Sequence, residues 1–90
     1  MQKHFNIKVF GKVQGVFFRQ TTREKAKAIG IKGFVRNEPD DSVYIEAEGE
    51  EEPMNKFTGW CKVGPSQATV EKTEITESSL KNFTSFEILH

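Results

Sequence analysis

The stretch GKVQGVFFR, at residues 11–19, separates a strand-like pattern from a helical one. Before it, residues 5–9 alternate between apolar and polar side chains, which is the period of a half-buried β-strand. After it, the residues from Phe18 to Ile29 place apolar or small side chains on one helical face. Gly30 then stands where a helix commonly ends. The stretch therefore predicts a strand, a loop with glycines and a helix, in that order.

The rest of the chain predicts four more strands and one more helix. Two segments of alternating apolar residues flank NEPDDS, at residues 37–42, which is rich in the residues that form tight turns. These two segments are expected to pair as an antiparallel hairpin. The predicted strands are 31–37, 43–48, 68–76 and 86–88, and the helix lies between Gly49 and the Gly64–Pro65 pair.

This order, β-α-β-β-α-β with a short additional C-terminal strand, is typical of the ferredoxin-like α/β sandwich of the α+β class. In that arrangement, two helices cover one face of an antiparallel sheet. Val70 and Ile75 lie at opposite parity in the fourth strand, so we expect a bulge or bend between them. Ninety residues suffice for one domain, and residues 1–90 are predicted to form a single unit.

The charge and cysteine content narrow the possible function classes. The 13 basic and 13 acidic residues balance to a formal charge of zero, so no overall field points to nucleic acid or to an anionic membrane. The single cysteine, Cys61, excludes an internal disulfide and fits a reducing compartment. The polar start of the chain does not resemble a signal peptide, and no apolar run approaches membrane length. We expect a cytoplasmic protein with no membrane and no nucleic-acid partner.

The loop within residues 11–19 has the composition of an anion-binding site. Its glycines permit positive φ angles, so that successive backbone amides can converge on one point at the start of a helix. Arg19 lies in the predicted first helical turn, where its guanidinium can bind two oxygens of a phosphate or carboxylate. The spacing matches neither the P-loop nor the G-x-G-x-x-G pattern, so a nucleotide is not indicated. An ordinary glycine turn beside an exposed arginine also fits, and the loop alone leaves both interpretations open.

Two blocks together resemble the signature pair of the acylphosphatases. GKVQGVFFR at 11–19 is followed, fourteen residues after Arg19, by GFVRN at 33–37. Both blocks lie on the elements predicted above, and the resemblance covers the chain from about Phe5 to the C-terminus. The family consists of small ferredoxin-like enzymes that hydrolyse the carboxyl-phosphate bond.

The resemblance implies a role for particular residues of the two blocks. Arg19 would bind the phosphate group, and Asn37, the last residue of the second block, would hold the attacking water. We expect pairing of the second strand next to the first to bring Asn37 to the loop. Asp41 stands where the family usually has glycine, which puts the turn geometry in doubt more than the chemistry. The backbone amides that cradle the phosphate would be those of Gln14, Gly15, Val16, Phe17 and Phe18.

The implied function is hydrolysis of small acyl phosphates to a carboxylate and inorganic phosphate. The expected partners are the acyl phosphate substrate, with inorganic phosphate or sulfate as product or competing anion, and the chain is expected to be a monomer. No cofactor and no metal are expected, because His4 and His90 lie near opposite ends and no Cys, His or carboxylate cluster has metal-ligand spacing. Trp60 and the phenylalanines, at helical or alternating spacing, are expected mainly in the core.

Two other function classes share some of these features. RNA-recognition domains share the element order, and KGFVR at 32–36 resembles a fragment of their aromatic block. That block belongs on the third strand, however, and here it falls on the second, while the third strand carries Tyr44 beside Glu46 and Glu48. An acylphosphatase-like domain kept for regulation or assembly is the other alternative, and the intact arginine and asparagine argue against it.

Overall fold

The predicted order of strands and helices is confirmed by the computed structural model, which describes residues 1–90. The first strand is longer than predicted and includes Gly11 and Lys12, so the loop before the first helix is correspondingly shorter. Neither helix has the length and apolar character needed to span a membrane. The elements are β1 (Gln2–Lys12), α1 (Phe18–Ala28), β2 (Lys32–Asn37), β3 (Val43–Glu50), α2 (Glu51–Cys61), β4 (Thr69–Ser78) and β5 (Phe86–Ile88).

The five strands form one sheet in the order β4-β1-β3-β2-β5. The four long strands pair antiparallel, and β2 and β3 form the expected hairpin. The short β5 runs parallel to β2, so the complete sheet is mixed rather than antiparallel throughout. Helix α1 packs against β2 and β5, and α2 packs against β1 and β3, so that both helices share one core with the sheet. This is the predicted ferredoxin-like α+β sandwich.

The bulge expected in the fourth strand is confirmed as a register shift between β1 and β4. Gly11 pairs with Val70, which leaves Glu71 as an extra residue on β4. Gly11 has a φ of 130°, and a Cβ atom there would overlap the carbonyl oxygen of Thr69. The first glycine of the loop motif is therefore required by the pairing of two strands, and not by the loop itself.

The core lies between the two helices and the sheet. Helix α1 buries Phe18 and Ala26 as its apolar spacing predicts. Cys61 at the end of α2 is fully buried, and burial raises the pKa of its thiol, as is typical of a structural cysteine. Not every phenylalanine lies in this core, since Phe17 is 66% exposed. The buried residues of α2 are Met54, Phe57 and Cys61.

The opposite face of the sheet carries a buried polar cluster that the sequence did not predict. The His4 ring lies between two carboxylates, with Nδ1 2.7 Å from an oxygen of Glu48 and Nε2 3.0 Å from an oxygen of Glu46. Glu48 also accepts hydrogen bonds from the backbone amides of residues 81–83. Burial acts to raise the pKa of Glu48, but the hydrogen bonds from His4 and from these amides outweigh it and lower that pKa. Glu46 and Glu48 alternate with the core residues of β3, yet both are buried because the segment before β5 covers them.

Candidate active site

The loop between β1 and α1 has a backbone in which two residues take left-handed conformations. Gly15 has a φ of 72° and Phe17 a φ of 61°. Left-handed residues placed between right-handed or extended ones turn neighbouring amides towards a common point, which is the geometry of an anion-binding nest. Phe17 is also the residue that immediately precedes α1. The loop therefore directs its amides into the region at the start of that helix.

The amides of this loop are free of partners within the chain. The backbone N–H groups of Gln14, Gly15, Val16 and Phe17 donate to no backbone or side-chain acceptor. Helix α1 adds its own unpaired N-terminal amides, beginning with Phe18, and has no acidic residue in its first turn. A row of unsatisfied donors at a helix N-terminus, with no neutralising carboxylate, has the polarity of an anion site.

Arg19 projects from the first turn of α1 as the sequence predicted. It is half-buried, and no acidic side chain lies within salt-bridge distance of its guanidinium. The polar contact it makes is to His90, whose Nδ1 accepts from the Arg19 Nη1 at 3.4 Å. The charge of Arg19 is therefore not neutralised by the protein and is available to an anion.

Asn37 is the last residue of β2, and it reaches the same end of the sheet by a route that the sequence did not predict. β2 does not pair with β1, because β3 lies between them and its Val43 pairs with Val9 on one side and Asn37 on the other. β1 and β2 are both antiparallel to β3, so their C-terminal ends lie at the same end of the sheet. The side-chain Oδ1 of Asn37 is buried and makes no hydrogen bond within the chain. A buried acceptor without a partner is uncommon, and it is available to a water molecule.

Gln14 connects the loop to the turn that follows Asn37, and this contact was not predicted. Its side-chain Nε2 donates hydrogen bonds of 2.9 Å to the carbonyl oxygens of Glu38 and Ser42. The sequence assigned a role only to the backbone amide of Gln14. No local pattern could have revealed the second role, because the acceptors are 24 and 28 residues further along the chain. The Gln14 side chain therefore links the loop directly to this turn, in addition to the pairing of β3 with both β1 and β2.

Most of these residues line one cleft of about 330 Å³. The predicted Arg19 and Asn37 both face it, together with Gly15, Phe17 and Phe18. The side chains of Gln14 and Val16 do not line it, because the first turns to the hairpin and the second is buried. The cleft adds four residues that the sequence did not assign to the site, namely Val13, Gln20, Ile88 and His90.

Comparison with known proteins identifies one family. The family model described as acylphosphatase matches residues 5–88. The chain is 48% identical to an acylphosphatase from Archaeoglobus fulgidus, over 93% of this chain and 94% of the relative, and 48% identical to one from Acaryochloris marina, over 90% and 87%. The crystal structure of the acylphosphatase from Bacillus subtilis superimposes with a TM-score of 0.94 at 35% identity and covers all of both chains.

The chain belongs to the acylphosphatase family. The resemblance carried by the two sequence blocks is thereby confirmed, and with it the ferredoxin-like fold and the acylphosphatase function. The relatives match over nearly their full lengths, so the similarity is not confined to the loop or to the core.

The departure from the acylphosphatase pattern noted in the sequence lies in the turn after Asn37. Asp41 has a φ of 72°, the left-handed conformation that the usual glycine adopts without strain. The Asp41 amide donates to the Glu38 carbonyl at 3.1 Å, and the Glu38 amide donates to the Ser42 carbonyl at 2.9 Å, so the turn is closed in spite of the substitution. The turn that positions Asn37 therefore forms with Asp41 in place of glycine, at some cost in backbone strain.

Proposed function

We propose that this acylphosphatase hydrolyses small acyl phosphates by in-line attack of water on phosphorus, with release of a carboxylate and inorganic phosphate. Arg19 binds the phosphate group and Asn37 orients the water. The observation that carries the proposal is that free amides, an unneutralised guanidinium and an unsatisfied buried amide oxygen line or adjoin one cleft. The cradle amides are those of Gln14, Gly15, Val16, Phe17 and Phe18.

Binding of the phosphate group follows from the donors of the cleft. The planar guanidinium of Arg19 contacts two phosphate oxygens at once, and the loop amides contact the others. In the transition state, the negative charge of the phosphoryl group is spread over its three equatorial oxygens. Fixed donors around those oxygens stabilise the transition state more than the ground state, and this difference lowers the barrier.

The attacking water is held by the amide of Asn37. An amide side chain both accepts and donates hydrogen bonds, so it orients a water without removing its proton. No carboxylate side chain lines the cleft, and the one imidazole there, that of His90, already accepts from Arg19 through its Nδ1. We assign the proton of the water to a phosphate oxygen, which receives it as the new P–O bond forms.

The leaving group needs no acid, because a carboxylate is stable as an anion above about pH 4–5. The proposed reaction therefore uses water, the acyl phosphate and the protein alone, with no metal and no cofactor. Inorganic phosphate, the product, and sulfate occupy the same cradle as competing anions. We further propose that residues 1–90 act as one unit and as a monomer in the cytoplasm, where the free thiol of Cys61 is compatible with a reducing environment.

Two substitutions separate binding from the chemical step. Arg19→Gln should lower both the affinity for inorganic phosphate and the rate of benzoyl phosphate hydrolysis, measured by ultraviolet absorbance in EDTA. Asn37→Ala should lower kcat by about 100-fold or more while the affinity for phosphate changes less than about threefold. Arg23→Gln, on an exposed position of the same helix, and Asn55→Ala, on α2, are the matched controls and should behave as wild type.

The outcomes decide each role separately. If Arg19→Gln binds phosphate as tightly as wild type, Arg19 is not part of the cradle. Near-wild-type kcat in Asn37→Ala would show that the water is held by another group. Absence of turnover from a folded wild-type protein in EDTA would contradict the metal-free hydrolysis as a whole.

A further inference from the structure

The rim of the cleft carries one large apolar side chain that phosphate binding leaves unused. Phe17 is 66% exposed, whereas Val13 and Phe18, which also line the cleft, are buried and Ile88 is half-buried. None of the aromatic pairs in the fold includes Phe17. The ring therefore adds little to the core, and most of its surface is open at the site.

The backbone conformation of Phe17 is one that disfavours a large side chain. With φ at 61° and ψ at 21°, the residue is left-handed, a conformation that is strained for a bulky side chain. Glycine would provide the same amide to the cradle without that strain. The cradle thus explains the conformation but not the phenyl group. A strained residue that presents an exposed aromatic ring in a ligand cleft indicates a contact made by the ring.

We propose that the exposed ring of Phe17 forms an apolar shelf for the acyl group, so that the enzyme favours aromatic or branched apolar acyl phosphates over acetyl phosphate. This inference rests on the proposed function. In-line displacement places the leaving acyl group on the side of phosphorus opposite the attacking water. Because the Phe17 amide belongs to the cradle, its ring is within reach of the group attached to the phosphate. An aromatic acyl group would stack in an offset manner on the Phe17 ring and remove apolar surface from water, and both effects favour binding. The methyl group of an acetyl phosphate would gain little binding energy from the same contact.

The first test is a ratio of specificities. In each protein, kcat/KM is measured for benzoyl phosphate and for acetyl phosphate, and the ratio cancels any change that the cradle itself undergoes. In Phe17→Gly the ratio should fall about tenfold, equivalent to about 1.4 kcal/mol. Phe17→Tyr keeps the ring and should keep the ratio within about twofold of wild type. Val63→Ala, at a position that is 69% exposed and outside the cleft, is the control.

The second test does not depend on turnover. Calorimetry gives the Kd of two methylene-bridged analogues, 2-oxo-2-phenylethylphosphonate and 2-oxopropylphosphonate, which mimic benzoyl and acetyl phosphate. The phenyl analogue should bind more tightly to the wild type, and this advantage should fall about tenfold in Phe17→Gly. An unchanged ratio in Phe17→Gly, in kinetics or in binding, overturns the shelf. If the wild type hydrolyses neither acyl phosphate, the proposed function fails, and the analogue ratio still decides whether the shelf exists.

Discussion

The tether made by Gln14 allows a sharp test of how the two halves of the cleft are held together. Gln14 Nε2 donates 2.9 Å hydrogen bonds to the carbonyl oxygens of Glu38 and Ser42, which belong to the turn that follows Asn37. Methionine has nearly the same length and volume as glutamine but donates no hydrogen bond. Gln14→Met therefore removes both bonds with little change in packing.

The loss of stability can be worked out from the two acceptors. The Glu38 carbonyl also accepts from the Asp41 amide at 3.1 Å, and the Ser42 carbonyl also accepts from the Glu38 amide at 2.9 Å. Neither acceptor is left without a partner, so each bond costs only its net value of about 1 kcal/mol, and the free energy of unfolding should fall by about 2 kcal/mol. Urea denaturation followed by Trp60 fluorescence should show a midpoint lowered by about 1–2 M.

The effect on activity should be larger than the effect on phosphate binding. Without the tether, the turn after Asn37 is freer to move, and a displacement of about 1 Å at a reacting group can cost about 100-fold in rate. We expect kcat for benzoyl phosphate to fall at least about tenfold, with a smaller change in phosphate affinity, because Gly15 and Phe17 keep the conformation of the loop. Gln67→Met, at an exposed position outside the cleft, is the control. Wild-type kcat in Gln14→Met, or lost phosphate affinity with kcat retained, would refute the tether.

Three further substitutions test the fold by urea denaturation. Glu48→Gln should lower the free energy of unfolding by about 3 kcal/mol at pH 7, because it removes a buried charge that several donors bind. The pKa of Glu48 is lowered in the folded state, so the stability that its charge contributes is present above the ordinary pKa of 4.5 and is lost as pH falls through the folded pKa. The difference in the free energy of unfolding between Glu48→Gln and wild type should therefore shrink in acid. A constant difference down to pH 2 would contradict this. Asp41→Gly should raise stability by about 0.5–1 kcal/mol by relieving left-handed strain, and no gain would show that Asp41 is unstrained. Gly11→Ala should cost at least about 3 kcal/mol, because its Cβ would overlap the backbone of β4, and a mild loss would mean that the bulge can relax.

The fold was predictable because its elements follow from local patterns. The alternation in residues 5–9, the helical spacing after Phe18 and the turn chemistry of NEPDDS each depend on neighbours a few residues apart. The bulge was predictable for the same reason, since Val70 and Ile75 cannot both face the core without an extra residue between them. The direction of β5 was not predictable, because three residues contain no information on which strand they join.

The cleft contains Arg19, Asn37 and three of the loop residues that the sequence assigned to the site, but the sequence did not predict how they come together. The loop pattern indicated Arg19 as an anion ligand, and the family resemblance supplied Asn37. How Asn37 comes near the loop depends on β3, which lies between two strands that the sequence suggested were neighbours. The tether from Gln14 and the cluster around His4 are contacts over more than 20 residues of sequence, and neither leaves a periodic trace. Long-range hydrogen bonds of this kind become visible only in the three-dimensional structure.

The measurement that bears most directly on the phosphate cradle is a titration of the ¹⁵N-labelled protein with inorganic phosphate, followed through the backbone amide resonances. We predict saturable downfield proton shifts at Gln14, Gly15, Val16, Phe17 and Phe18, with no comparable shifts at the start of α2. The same titration of Arg19→Gln should require far more phosphate, and sulfate should compete in the wild type. Saturable shifts centred elsewhere, or no response at these amides at phosphate concentrations that inhibit the enzyme, would contradict the cradle.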